Sequence, residues 1–382
     1  MTATQHLERS ADPAAAPRVL EATGLDELIS ALHARGFRVL GPTVADGAIV
    51  YEPLAAASEL PIGWTDVQEP GRYRLERRDD DARFGYAVGP RSWKEHLFPA
   101  RLSLFRATTG EGALTVAEDP PDLQPTALIG VRACELAAIA IQDRVFMGGR
   151  FVDRDYVARR SALFVVAVDC GDPASTCFCD SVGTGPAVEE GFDLRLTELL
   201  SGEHRFLVRA GTEVGEALLR ELPARAAEDD DLAAAAEVTA SARERMGAPL
   251  PAGAREAVLA DPEHARWDDV AARCLGCANC TLVCPTCFCS SVEDVADLSG
   301  EQSERIRVWD SCFSVQHSEL HGGAVRTSAR SRYRQWLTHK LGTWPDQFGT
   351  AGCVGCGRCV TWCPAGIDLR DEVRALQEVE SR

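Results

Sequence analysis

Two runs of cysteine have the spacing that binds iron–sulfur clusters. Each run holds four cysteines, which are Cys274, Cys277, Cys280 and Cys284 in the first and Cys353, Cys356, Cys359 and Cys363 in the second. Both follow the pattern C-x2-C-x2-C-x3-C-P, in which three thiolates on a tight loop bind one face of a cubane [4Fe–4S] cluster. Structural zinc sites, the alternative, usually take two C-x2-C pairs separated by a longer loop. The repeated spacing therefore predicts two [4Fe–4S] clusters rather than zinc.

The fourth cysteine of each run predicts an exchange of ligands between the runs. In this pattern the fourth thiolate points away from its own loop and binds the other cluster. Site 1 is therefore predicted to comprise Cys274, Cys277, Cys280 and Cys363. Site 2 is predicted to comprise Cys353, Cys356, Cys359 and Cys284. Gly276, Gly355 and Gly357 are expected to let the loops curl, so that backbone amides point at sulfur and influence the reduction potential.

Four further cysteines follow the predicted elements of a parallel sheet. The stretches "TALIGV" from residue 126 and "ALFVVAVDC" from residue 162 predict buried strands, and "CELAAIAIQDRVF" predicts a helix between them. Cys134 opens that helix, where a thiolate is favoured, and Cys170 ends the second strand. Because the carboxyl ends of parallel strands share one edge, we expect these two to meet Cys177 and Cys179 there. The hypothesis is a third [4Fe–4S] cluster at these four residues, called site 3, and the alternative is that they are free buried thiols.

Three cysteines remain outside these sites, which are Cys287, Cys289 and Cys312. The stretches "TCFCDSV" from residue 176 and "TCFCSSV" from residue 286 agree at all but one position. One interpretation of this similarity is that both segments form the same kind of tight turn by chance. The other interpretation is that the two loops meet between domains and share a site with Cys312.

The chain is expected to divide into a flexible tail at residues 1–20, an α/β domain at 21–250 and a cluster-binding domain at 251–382. The fold class is therefore an α+β or α/β domain followed by a dicluster domain. The two cysteine runs are separated by 68 residues, from Pro285 to Gly352, which is long for a compact two-cluster ferredoxin. This insert contains helix-like stretches such as "RSRYRQWLTHKL". An α-helical ferredoxin-type domain is therefore expected.

Composition narrows the classes of partner and compartment. The net charge of −18 makes general binding to nucleic acid or to an anionic membrane unfavourable. The 15 cysteines are odd in number and clustered, which argues against a secreted disulfide framework. We find no signal peptide, and the longest apolar run, about residues 162–168, is too short to span a bilayer. No dinucleotide-binding fingerprint is present, and "GTGP" at residue 183 is interpreted as a plain turn. We expect a reduced, cytoplasmic protein.

Several longer stretches carry a resemblance to a known family. They are "GPRSWKEHLFP" from residue 89, "GVRACELAAIAIQDRVF" from 130, "CFCDSVGTGP" from 177, "RCLGCANCTLVCPTCFC" from 273, "WDSCFS" from 309, "RYRQWLTHKLGTW" from 332 and "QFGTAGCVGCGRCVTWCPAGID" from 347. On these stretches the chain resembles the beta subunits of cytoplasmic NADP-linked [NiFe] hydrogenases of the sulfhydrogenase type. It is also similar to the corresponding iron–sulfur subunits of anaerobic sulfite reductases. The family usually has Pro-Cys-Asp where this chain has Ala133-Cys134-Glu135, a change that keeps the thiol.

The resemblance implies a non-catalytic iron–sulfur subunit that relays electrons. A flavin subunit would exchange a hydride with NAD(P)H, and the electrons would pass through clusters to the small and large subunits of a [NiFe] hydrogenase. The alternative is the same role in an anaerobic sulfite reductase or in another flavin-linked complex. The eight cysteines of the two runs are the expected ligands. No nucleic acid and no membrane are expected as partners.

Overall fold

The computed structural model describes residues 16–110, 113–118 and 124–378. The strands are β1 (Arg18–Glu21), β2 (Arg38–Ala45), β3 (Ala48–Pro53), β4 (Trp64–Glu69), β5 (Arg72–Arg77), β6 (Arg101–Gly110), β7 (Ala113–Ala117), β8 (Thr126–Val131), β9 (Leu163–Val168), β10 (Leu194–Leu199), β11 (Arg205–Ala210), β12 (Arg225–Ala226), β13 (Ser290–Ala296), β14 (Gln302–Trp309), β15 (Glu319–Leu320) and β16 (Gly323–Ala324). The helices are α1 (Gly24–Ala34), α2 (Lys94–Leu97), α3 (Ala133–Met147), α4 (Arg154–Ser161), α5 (Glu213–Glu221), α6 (Asp229–Arg245), α7 (Ala254–Ala260), α8 (Arg266–Arg273), α9 (Asn279–Leu282), α10 (Ala329–Leu337), α11 (Trp344–Phe348), α12 (Arg358–Thr361) and α13 (Leu369–Gln377).

A large mixed sheet forms the centre of the N-terminal part. Among the described residues its eight strands lie in the order β12-β1-β11-β10-β9-β8-β2-β3. Strands β10, β9, β8 and β2 run parallel, and the outer strands pair antiparallel. Every residue of β8 and β9 is buried, as expected for strands that are covered on both faces. The predicted β8-α3-β9 unit and the mixed α/β character of this part are confirmed.

Helices cover both faces of this sheet. The apolar residues of α1, at helical spacing, pack in one core with Val39 and Val166 of the strands. On the other face Leu136 and Ile139 of α3 pack against Leu128 of β8. This packing fixes the start of α3, and therefore Cys134, beside the carboxyl ends of β8 and β9.

A second, antiparallel sheet combines strands that are distant in sequence. Its order is β13-β14-β6-β7, and β6 pairs with β14 along most of its length. The indole N–H of Trp309 at the end of β14 donates to the carbonyl of Phe98, 2.9 Å away. The segment between the cysteine runs thus holds a hairpin as well as helices. The α-helical character that we expected for the dicluster domain, and the division near residue 250, stay predictions.

The predicted tail lies mostly outside the described residues, which begin at residue 16. Its last part, however, belongs to the sheet, because Arg18–Glu21 form β1 and pair antiparallel with β11. Val19 and Leu20 are buried there, and their burial explains why these residues form a strand although a flexible tail was expected. Within the part of the chain that the structure describes, no helix is both long and apolar enough to cross a membrane.

Candidate metal centres

Site 1 is a pocket that the predicted thiols line together. The pocket encloses about 450 Å³ of space, part of it open solvent, and its wall includes the four predicted ligands, Cys274, Cys277, Cys280 and Cys363, together with Cys359. The first three lie on the loop after α8 and in α9, and the fourth follows α12. The rings of Phe313, Tyr333 and Trp336 complete much of the wall. The structure thus brings both cysteine runs to one pocket, as the predicted exchange of the fourth ligand requires.

The two cysteine loops have the same backbone geometry. Gly276 has φ +63° and its N–H donates to the sulfur of Cys274, 3.4 Å away. At the equivalent position Gly355 has φ +62° and its N–H donates to the sulfur of Cys353, 3.5 Å away. These left-handed residues turn the amides towards sulfur, which is the arrangement that stabilises negative charge on a bound cluster.

Site 2 forms where the second run meets Cys284. Cys353, Cys356 and Cys284 are buried. Burial raises the pKa of Cys359 well above its ordinary value, and the neighbouring Cys353, Cys284 and Cys356 raise this pKa further. These four cysteines are therefore near enough to one another to interact electrostatically. A metal that binds here must displace their protons, so binding and ionisation are coupled.

Cys284 differs electrostatically from the other thiols of site 2. A hydrogen bond with the Cys287 side chain and the nearby charge of Lys340 hold the pKa of Cys284 well below its ordinary value, against the effect of burial. The ammonium nitrogen of Lys340 lies 3.3 Å from the sulfur of Cys284. The fourth predicted ligand of site 2 therefore favours the thiolate form, which is the form that binds metals.

Site 3 is a smaller pocket at the edge of the parallel sheet. Its volume is about 320 Å³, and its wall contains all four predicted cysteines, Cys134, Cys170, Cys177 and Cys179. The buried guanidinium of Arg132 holds this edge together by donating to the carbonyls of Asp169, Phe84 and Tyr86 at 2.6–2.7 Å. The structure thus brings together the four cysteines of site 3. Their role as ligands stays a prediction.

The thiols of site 3 do not have the low pKa that the start of a helix would suggest. Burial raises the pKa of Cys134 well above its ordinary value although it is the second residue of α3, and neighbouring Cys179 and Cys356 raise it further. Burial likewise raises the pKa of Cys179 to about 12. Desolvation outweighs the effect of the helix N-terminus on this thiol, contrary to the expectation that Cys134 favours the thiolate.

The second cysteine run lies between sites 1 and 3. Cys359 borders the pocket of site 1, and Cys356 borders the pocket of site 3. At the outer end of this arrangement Cys277 of site 1 is exposed, in contrast to the buried Cys177 and Cys179 of site 3. The three sites therefore follow one another in the order 1, 2, 3.

The loop of residues 176–179 packs directly on the second cysteine run. The N–H of Phe178 donates to the carbonyl of Gly355 at 2.8 Å, and the hydroxyl of Thr184 donates to the carbonyl of Val354 at 2.8 Å. A Cβ atom on Gly355 would lie 2.6 Å from the Cα of Cys179. Only glycine fits this approach, since a contact below 3.0 Å would force the two loops apart.

A buried ion pair joins α3 to the second cysteine run. The guanidinium of Arg358 lies 2.7 Å from a carboxylate oxygen of Glu135, and the side chains of both residues are 1% exposed or less. The hydroxyl of Tyr51 donates to the other carboxylate oxygen at 2.9 Å. Arg358 also donates to the carbonyls of Gly89 and Arg91. These contacts hold the residues beside Cys134 and Cys356 in a fixed relation, and sequence reasoning did not identify them.

The remaining three cysteines do not line the pocket of site 3, and Cys312 packs in the core that also contains Cys274 and Cys280 of site 1. Cys287 interacts with Cys284, and Cys289 shares a hydrogen bond with Cys312 at the base of the β13–β14 hairpin. Both CFC loops contact the second cysteine run or the residue just before it, through Phe178 with Gly355 and through Thr286 with Gly352. Among the described residues, no three Cys, His, Asp or Glu side chains are arranged around a single metal ion.

Comparisons with known proteins agree with the two cysteine runs. The chain matches the family described as "4Fe-4S dicluster domain" over residues 273–367, which include both runs. It is 34% identical over 351 residues to Sulfhydrogenase 2 subunit beta of Pyrococcus furiosus, and the alignment covers 90% of this chain and 92% of that protein. No solved structure matches the chain. The family match supports [4Fe–4S] clusters as the group that the thiols bind.

The contact between the two loops predicts a specific effect of Gly355→Ala. The substitution should separate Cys179 from the second run and lower the iron content after anaerobic reconstitution of the full chain. Gly300→Ala is the matched control, because Gly300 also has a positive φ, +73°, but has no atom within 4 Å of an added Cβ. Both variants bear the left-handed backbone cost of about 1–2 kcal/mol. Equal iron contents in the two variants would contradict the predicted role of the contact.

Proposed function

The chain belongs to the family of sulfhydrogenase beta subunits, and from this premise we propose that it carries electrons between two partner subunits of a hydrogenase. One partner would be a flavin subunit that reacts with NAD(P)H, and the other a [NiFe] module with a small and a large subunit. The main support is the pair of cysteine runs that meet in one pocket. In this proposal the chain itself catalyses no bond-making step.

The ligands of the proposed clusters follow the three sites. Site 1 takes its fourth thiolate from the second run, at Cys363, and site 2 takes its fourth from the first run, at Cys284. Each cluster accepts and donates single electrons when it is bound. Site 3 would hold a third [4Fe–4S] cluster, and the support for it is the convergence of its four cysteines on one pocket.

The residues of the chain would support this transfer without any proton chemistry. The backbone amides of Gly276 and Gly355 donate to sulfur and stabilise the charge of the clusters. The aromatic rings shield one side of site 1 from water, which would lower the energy of solvent reorganisation there during electron transfer. All fifteen cysteines are free, which is consistent with a reducing cytoplasmic compartment.

A ferredoxin-type domain of helices would surround site 1. Its support is a common core in which Trp267 of α8, Leu337 of α10 and Val373 of α13 pack together with Cys353. In the same proposal one partner docks at the exposed end of the relay. Cys277 is exposed there, and the neighbouring Leu275 is 70% exposed, so another subunit can approach the cluster of site 1 closely.

Interruption of site 2 should stop the relay. In the native complex Cys356→Ala should reduce hydrogen-dependent NADP reduction to the background rate, because electrons would have to bypass the middle of the three sites. The β-structure measured by circular dichroism should persist, since the large sheet is formed by other residues. Cys289→Ala is the control that should retain the rate. A normal rate with Cys356→Ala would refute the relay.

Iron content tests the third cluster separately. The full chain, isolated anaerobically, should contain about twelve iron atoms if three [4Fe–4S] clusters are present and about eight if there are two. A double substitution, Cys134→Ala with Cys177→Ala, should lower the iron content by about four atoms per chain and leave the other clusters bound. The control Cys289→Ala should leave the content unchanged. About eight iron atoms in the unmodified chain would exclude a cluster at site 3.

A further inference from the structure

The chain contains only two lysines among its 40 basic residues, and both are buried at the same loop. The other 38 basic residues are arginines. Lys94 is 4% exposed and Lys340 is 2% exposed, although lysine is almost never fully buried without partners. They are 246 residues apart, yet both ammonium groups contact the segment of residues 282–287 that contains Cys284.

The ammonium group of Lys340 has an acceptor for each of its three protons. Its nitrogen lies 3.3 Å from the sulfur of Cys284, 3.0 Å from the hydroxyl oxygen of Thr286 and 2.9 Å from the carbonyl oxygen of Gly352. The Thr286 hydroxyl in turn donates to the Gly352 carbonyl, 2.8 Å away. This lysine is therefore held with a charged donor directed at a predicted ligand sulfur.

Lys94 contacts the same loop but no sulfur. Its nitrogen donates to the carbonyls of Leu282, Cys284 and Cys287 at 3.0–3.2 Å and lies 3.9 Å from the centre of the Trp309 ring. The three carbonyl oxygens accept hydrogen bonds from the ammonium group, and the face of the indole ring attracts its positive charge. Lys94 thus fastens the backbone of the loop, and it provides a matched comparison for Lys340 on the same segment.

The other two sites are built differently. The pocket of site 1 is lined by cysteines and by apolar or aromatic residues, without lysine or arginine. At site 3 the guanidinium of Arg132 is also a buried cation that borders the pocket near Cys170, but its hydrogen bonds go to carbonyls and not to a sulfur. Arg358 lies near Cys356, but the carboxylate of Glu135 pairs with it and offsets its charge. Lys340 has no carboxylate among its hydrogen-bond partners, so its charge acts on site 2.

We propose that Lys340 sets the reduction potential of the cluster at site 2, so that an electron is held more strongly there than it would be without this charge. The inference rests on the proposed function, since it requires a cluster at Cys284. Each added electron makes a cluster more negative, and a buried cation near its sulfur stabilises this charge in a medium of low polarity. Lysine suits the position because its ammonium is a compact charge with three donors.

The first test measures potentials in the full chain after anaerobic reconstitution. A redox titration monitored by electron paramagnetic resonance would compare the unmodified chain with Lys340→Met, Lys340→Gln and Lys94→Met. Lys340→Met and Lys340→Gln should lower the reduction potential of one cluster by about 59 mV, which is a tenfold change in the ratio of reduced to oxidised cluster for a one-electron couple. The potentials of the other clusters should not change. Lys94→Met should cause a smaller shift, because its nitrogen contacts carbonyls and not sulfur.

A second measurement works even if the variants at residue 340 fail to bind iron. Because the chain has only two lysines, growth with ¹⁵N-lysine labels only these side chains and their amides. The reduced cluster of site 2 should show a hyperfine coupling to ¹⁵N in the unmodified chain and in Lys94→Met. Loss of that coupling in Lys94→Met, or its absence from the unmodified chain, would overturn the assignment to Lys340.

The two proposals fail in different ways. If the unmodified chain contains no iron and shows no cluster resonance, the proposed function itself is wrong. If its clusters are intact but Lys340→Met and Lys340→Gln leave every potential unchanged, only the inference about Lys340 is overturned. An equal shift of all the potentials would also overturn it, since the effect would then not be specific to site 2.

Discussion

The arrangement of the three sites depends on the close approach of the loop of residues 176–179 to the second cysteine run. A backbone hydrogen bond from the N–H of Phe178 to the carbonyl of Gly355 brings the edge of the parallel sheet against the loop that carries Cys356. The approach is possible because Gly355 lacks a side chain and has a left-handed backbone, which also turns its amide towards the sulfur of Cys353. One residue therefore serves the geometry of site 2 and its contact with site 3.

Buried charges around this contact make the arrangement specific. Removal of one partner from a buried ion pair such as Glu135 with Arg358 typically costs about 3–5 kcal/mol, because the other charge is left without compensation. The two buried lysines present the opposite case, since Lys340 donates to one sulfur, a hydroxyl and a carbonyl, Lys94 donates to carbonyls, and neither has a carboxylate among its hydrogen-bond partners. Their charge is compensated best when negative clusters are bound. The energetics of the fold and the binding of clusters are linked in this way.

Much of the site, and less of the fold around it, could be predicted from the sequence. The spacing of each run predicts which cysteines share a loop, and the β8-α3-β9 pattern correctly predicts that Cys134 and Cys170 reach one sheet edge. The pairing of β6 with β14 was not predicted, because neither strand carries a signal that identifies a partner almost 200 residues away. The roles of Lys340 and Arg358 were also missed, since only the tertiary structure brings them to Cys284 and Glu135. The rarity of lysine was the one signal in the sequence that could have drawn attention to Lys340.

The most direct test of the central claim is metal analysis of the native complex, isolated anaerobically through a tag on this chain. An electron-carrying subunit of a [NiFe] hydrogenase should bring with it about one nickel atom per chain together with abundant iron. Abundant iron without nickel would contradict the assignment to a hydrogenase. It would favour a sulfite reductase or another flavin-linked complex that uses the same arrangement of clusters.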